Sequence, residues 1–188
     1  MTGLWITLGV LGGLVLIFCL WMIIARNNFV RLKNNVDEAF STMDIYLKKR
    51  YDLIPNIVET VKGYAKHEKE TLTAVISARN MAISATNSTE KAKAEGEIGR
   101  ALKSLFKLSE AYPELRANAN FIDLQNQLKS IETEIATSRR YYNACVKQFN
   151  TKIDIFPSSL IAKWFKFEKR AMFEVESAEE RQNVKVKF

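Results

Sequence analysis

Residues 4–25 read LWITLGVLGGLVLIFCLWMIIA, without one charged side chain. At about 1.5 Å of rise per residue, a helix over this run spans roughly 33 Å, which matches the hydrocarbon core of a bilayer. Trp5 and Trp21 sit near its ends, where indoles favour the interface. A cleaved signal peptide would want a basic leading region, a shorter apolar stretch and a small-x-small cleavage site, and all three are missing. Bulky Phe18 before Cys19 argues against a lipoprotein cysteine. The run is therefore expected to be a retained transmembrane helix, with residues 1–3 as a short external tail.

The flanks of this run are asymmetric. No Lys or Arg precedes it, whereas Arg26, Arg31 and Lys33 follow closely, with Lys48, Lys49 and Arg50 beyond. The positive-inside rule places that side in the cytoplasm, so the expected topology is N-terminus outside and helical domain inside. All the basic residues behind the net charge of +7 lie at or after Arg26. A domain of that sign, tethered to a bilayer, suits anionic headgroups. The basic residues are spread along helical faces without a recognisable nucleic-acid module, so no nucleic acid is expected as a partner.

The rest of the chain is poor in turn formers. Of seven Gly and three Pro, Gly9, Gly12 and Gly13 fall in the apolar run, which favours long helices over many short strands. Phe29, Leu32, Val36, Phe40, Met43, Leu47, Ile54, Ile57, Val61, Tyr64, Leu72 and Val75 fit one stripe of a long helix with a coiled-coil-like seam. Pro55 predicts a kink near residues 53–55 rather than a stop. Asn87 with Glu90 has the form of a helix start, and a stripe at Ile98, Leu102, Leu105, Leu108 and Tyr112 follows until Pro113. Asn120 with Asp123 predicts the next start, with a stripe running from Phe121 to Phe149. Short links between such helices make sequential neighbours antiparallel. The expected fold is all-α: a single N-terminal transmembrane helix followed by an antiparallel bundle of three to four long helices over residues 26–154. An aromatic and basic segment at 155–175 and a charged tail at 176–188 complete the expected organisation. A short helix there, capped by Ser158 or Ser159, would carry Leu160, Ile161, Trp164 and Phe165 on its apolar side.

Several segments carry a resemblance. RYDLIPNIVETVKGY at 50–64 followed by His67 and Glu68, AYPEL at 111–115 leading to Phe121, RRYYN at 139–143, Asn150, and the stretch from Phe156-Pro-Ser to Phe167 together resemble the hallmarks of the LemA family. The chain is also similar to the magnetosome-associated members of that family. The resemblance implies a bacterial inner or cytoplasmic membrane protein with an antiparallel helical domain and no established enzymatic activity.

Functional readings of single residues compete with plainer ones. Arg50 and Asp52 flank the expected kink and read either as a polar site or as an ion pair fixing helix register. Asn56, Asn143 and Asn150 read as interhelix hydrogen-bonding groups. Glu59 and His67 lack the partners of a nucleophilic or metal constellation, and His67 is expected on an exposed helix face. Cys19 and Cys145 should lie far apart without a disulfide. No cofactor, metal or catalytic residue is expected. Gly9 and Gly13 form a Gly-x-x-x-Gly pair on which another transmembrane helix could pack. Asn87-Ser-Thr matches a glycosylation acceptor that a bacterial cytoplasmic domain would not use.

The segment from Phe156 to Phe173 interleaves aromatic and basic residues and is the best candidate for function. Lys163, Trp164, Phe165, Lys166, Phe167, Lys169 and Arg170 could lie on the cytoplasmic leaflet, latch onto the bundle, or dock against a neighbouring subunit. The expected function is a non-enzymatic membrane-anchored scaffold or adaptor that self-associates. Its partners would be membrane lipids, further copies of the chain and other membrane proteins. The alternatives are an accessory subunit of a membrane enzyme such as a protease, and a lipid-binding or membrane-remodelling protein.

Overall fold

In the computed structural model, which describes residues 2–174, the regular structure is helical: α1 (Thr2–Tyr64), α2 (Lys69–Ser84), α3 (Ser88–Ser109), α4 (Pro113–Arg116), α5 (Ala119–Asp154) and α6 (Ser158–Trp164). No strand occurs among the described residues. The chain forms two compact units. Of the described residues, one comprises 2–40 with 143–170, and the other 41–142 with 171–174. The expected charged tail lies outside the described residues.

Helix α1 is 63 residues long. Its apolar start leaves Leu4, Trp5, Leu11, Phe18 and Ile24 exposed, as a helix surrounded by lipid tails would. No Gly or Pro interrupts the chain between Ala25 and Val36, so the helix runs on, and a buried stripe begins at Ala25 and Phe29. Pro55 lies inside the helix, which continues to Tyr64. A proline removes one donor and leaves the hydrogen bonds on either side to carry the helix through.

The stripe read as one helix through Val75 is divided. After Tyr64 the chain turns, with the Ala65 amide donating to the Val61 carbonyl at 2.8 Å and the Glu68 amide to the Ala65 carbonyl at 3.1 Å. Leu72 and Val75 therefore belong to α2. His67 is exposed as expected, but it sits in this turn rather than on a helix.

In the unit containing Ser41–Tyr142, α2 packs on α3. Leu72, Val75, Ala78 and Ala82 are buried on α2, and Ala92, Ile98, Leu102 and Leu105 on α3. The short link between them makes the pair antiparallel. Helix α3 starts where Asn87 and Glu90 predict. The Asn87 side chain accepts the Glu90 amide at 2.9 Å, while the Glu90 carboxylate accepts the Thr86 amide and hydroxyl at 3.0 Å each. Those bonds hold the Glu90 carboxyl below its usual range, the Thr86 amide having the largest effect. Pro113 opens the single turn of α4, its fixed φ suiting the first helical position. Helix α5 is capped two residues earlier than Asn120 implies: Asn118 accepts the Phe121 amide at 3.0 Å.

In the other unit, the chain leaves α5 at Asp154, passes a cis Phe156–Pro157 peptide and forms α6. Ser158 does not cap this helix. It is buried, and its hydroxyl lies 2.8 Å from the Lys152 carbonyl and 2.9 Å from the Ile155 carbonyl, tying the start of α6 to the end of α5.

Candidate functional site

The C-terminal segment divides its aromatic residues between two environments. Lys166 has φ 54°, the left-handed conformation that closes a helix, and is a non-glycine residue there. Its amide donates to the Lys163 carbonyl at 3.3 Å and the Phe167 amide to the Ala162 carbonyl at 2.9 Å, the two bonds of a Schellman ending. The reversal at Lys166 carries Phe167 inward. Its ring stacks on Phe29 of α1, centroids 4.8 Å apart at 17°, and meets Phe149 of α5 edge-on at 6.4 Å. Phe29 and Phe149 also meet edge-on at 6.4 Å, which closes an aromatic triad.

Beyond the triad, Asn150 clasps the backbone of the segment. Its amide nitrogen donates to the Arg170 carbonyl and its oxygen accepts the Arg170 amide, both at 2.9 Å. Exposed pairs reinforce the clasp, Lys169 with Asp154 at 2.8 Å and Arg170 with Asp37 at 3.5 Å. Asn150 thus bonds to an extended segment rather than to another helix.

The opposite face of α6 is open. Phe156 is 80% exposed, Leu160 55% and Trp164 69%, whereas Ile161 and Ala162 are buried. The sequence expectation grouped Leu160, Ile161 and Trp164 on one apolar side, but positions 160 and 161 point about 100° apart on a helix. Phe165 lies beside Arg26, whose guanidinium sits 5.4 Å from the ring centroid. Lys163 and Lys166 are exposed.

The other unit contains a buried polar cluster. Arg50 is 4% exposed and forms ion pairs with Glu95 of α3 and with Glu132 of α5, the latter at 2.6 Å. Tyr51 donates its hydroxyl to Glu95, and Arg79 of α2 donates to the Tyr51 carbonyl at 2.6 Å. Glu95 Oε2 receives no well-directed hydrogen bond, but it lies against the Arg50 guanidinium and is compensated by that charge. Burial pushes the Tyr51 hydroxyl from 10.0 up to about 12; Arg50 pulls it down and Asp44 pushes it up. The cluster joins four helices, with Arg50 and Glu95 enclosed and Glu132 half-solvated at its edge, which suits a register pin better than a site a reactant must enter.

Asp52 is not part of this cluster. It pairs with Lys48 at 2.8 Å on the surface, so the expected Arg50–Asp52 register pair does not form. Asn56 is exposed, and its carbonyl accepts the Thr60 hydroxyl within α1. Asn143 is half-buried on α5. Gly9 and Gly13 have nothing within 4 Å of where a Cβ would stand, so both offer open helix surface. Cys19 and Cys145 are free thiols. Glu95 and Glu132 escaped the sequence reading, although Glu95 carries a signal: it falls three residues after Ala92 and three before Ile98, inside an apolar stripe.

Near the end of α1 lies an open groove of about 590 Å³. Val58, Leu72 and Ile76 line its apolar part, with Lys62, Lys66 and Lys69 among the other residues around it. Among the described residues no group of three or more His, Cys, Asp or Glu gathers to hold a metal.

An all-helical chain whose first helix is apolar and long enough to cross a bilayer falls in the class of membrane-associated helical proteins. The LemA family model matches residues 39–188, and the chain belongs to the LemA family. Protein LemA of Metamycoplasma hominis is 26% identical over 158 residues, covering 82% of this chain and 71% of that protein. The magnetosome proteins MamQ 1 and MamQ 2 of Paramagnetospirillum magneticum are each 21% identical over 190 residues, covering 87% of this chain and 70% of theirs. The family match begins after the apolar run, so the case for the anchor rests on α1 itself.

Proposed function

We propose that this protein is a non-enzymatic scaffold of the bacterial cytoplasmic membrane, anchored by residues 4–25, with its helical units on the cytoplasmic side, and that it self-associates there. The observation that carries the reading is the continuity of α1. Within one unit, the same helix provides both the exposed apolar span and the core positions Ala25, Phe29 and Val36. An anchor joined in this way is tied to the core of its own unit without a flexible linker. The orientation follows from the basic flank at Arg26, Arg31 and Lys33. Self-association has a candidate surface in the open Gly9 and Gly13 face.

The test has three readouts. The protein should resist carbonate extraction and dissolve in detergent; release by carbonate would refute the anchor. A single cysteine at Lys129, in a Cys19→Ser and Cys145→Ser background, should react with an impermeant maleimide only after permeabilisation. Labelling of intact cells would reverse the topology. Crosslinking in membranes should trap oligomers through the span, and a strictly monomeric species would remove self-association.

A further inference from the structure

We propose that the outer face of α6 and the turn before it form a second membrane contact, seated in the headgroup region of the leaflet from which α1 emerges and selective for anionic phospholipid. The proposal rests on the anchor reading and adds a lipid site to it. Leu160 and Trp164, four residues apart on α6, share its uncovered face, and Phe156 and Ile155 at 80% and 47% exposure add apolar surface in the turn before it. The opposite edge is already satisfied by Ile161 and Ala162, so folding within this unit leaves the outer edge with nothing to do. A contiguous apolar patch bordered by charge marks an interaction surface.

Continuity with the span identifies the occupant. Arg26 is the first charge after the apolar run, and it lies over the ring of Phe165. One turn further along α1, Phe29 stacks on Phe167. These two contacts place the end of α6 at the depth where α1 leaves the hydrocarbon. An indole and phenyl rings beside lysines at that depth have the chemistry of an interfacial segment, which buries its apolar side about 5–10 Å into the headgroup boundary. Lys163 and Lys166 supply the preference for anionic lipid, each lysine being worth roughly a fivefold gain near such a surface. Lys166 also holds the left-handed position that glycine fills without strain, so its ammonium group is retained at some conformational cost.

The test uses the full chain in single-copy nanodiscs. A Trp5→Phe and Trp21→Phe variant leaves Trp164 as its sole indole. In anionic discs its emission should be blue-shifted and quenched by lipids spin-labelled near the headgroup more than by lipids labelled near the chain terminus. Replacing anionic by zwitterionic lipid should lower that quenching. In the added presence of Lys163→Gln and Lys166→Gly the lipid dependence should disappear, with thermal stability kept or raised. Water-like emission without quenching overturns the proposal. So does an indole that is shielded only when two copies share a disc and that no lipid label quenches, which assigns the face to a second copy of the chain. The companion Trp164→Phe variant reports the span through Trp5 and Trp21. Quenching there with none at Trp164 defeats the second contact alone; no quenching at any of the three defeats the anchor as well.

Discussion

Two junctions bring α1 and α5 together with opposite chemistry. In one unit, Phe29, Phe149 and Phe167 meet ring to ring. In the other, Arg50 meets Glu132 and, on α3, Glu95. Aromatic burial stabilises through area removed from water and tolerates small shifts of the rings. A buried ion cluster contributes little net stability, because desolvation offsets the attraction, but it penalises every arrangement that separates its charges. The first junction supplies adhesion and the second supplies register.

That division is tested hardest at Arg50. Arg50→Leu strands the buried Glu95 carboxylate and should cost about 3–5 kcal/mol. Adding Glu95→Leu should recover most of the loss, since an apolar pair of similar volume needs no compensation and Glu132 is half-solvated. Denaturation of the detergent-solubilised full chain, followed by far-UV circular dichroism, measures both variants. A double variant as unstable as the single one would mean that the cluster supplies adhesion too.

At the aromatic junction, Phe29→Ala should cost about 3 kcal/mol and Phe29→Leu about 1, because loss tracks the cavity left behind. Phe167→Ala should be less than additive with Phe29→Ala, with a coupling of about 0.5–1.5 kcal/mol for the lost stacking. No rescue by a second substitution is expected here, which is the contrast with Arg50.

Alkaline pH probes the polar junction without mutation. Tyr51 holds its proton to about 12 in the fold against 10.0 in the unfolded chain. The unfolded state therefore releases the proton first, and stability present below pH 10 is lost as pH rises toward 12. The loss is on the order of 1–2 kcal/mol, allowing for partial solvent screening. Other groups titrate in this range, so the measurement is the difference between the parent and Tyr51→Phe. The parent should fall more steeply between pH 10 and 12; parallel curves would place Tyr51 outside the buried cluster.

The two junctions were unequally legible in the sequence. The apolar run and the stripes of α3 and α5 are local patterns, and they were readable because each depends on residues within a turn or two. The break at Ala65 was hidden because the step from Val61 to Leu72 preserves helical phase to about 20° and the turn contains neither Gly nor Pro. The polar partners were hidden by distance, Glu132 lying 82 positions from Arg50. In the C-terminal segment both faces are apolar, so composition could not say which rings turn inward. The left-handed Lys166 that decides it has no signature, since glycine is the residue expected there.

Asp52 shows the same limit at the smallest scale. Arg50 and Asp52 are neighbours in a motif, and a motif invites the reading of a pair. On a helix, however, residues two apart point about 200° away from each other, and partners lie at three or four. Arg50 therefore faces the core while Asp52 faces Lys48, one turn earlier on the surface. An exposed pair of this kind is worth roughly 0.3–0.5 kcal/mol. Asp52→Ala should shift the unfolding midpoint by no more than that allows, and the shift should vanish in high salt. A loss approaching that of Arg50→Leu would place Asp52 in the register pin, and the separation of surface pair from buried cluster would fail.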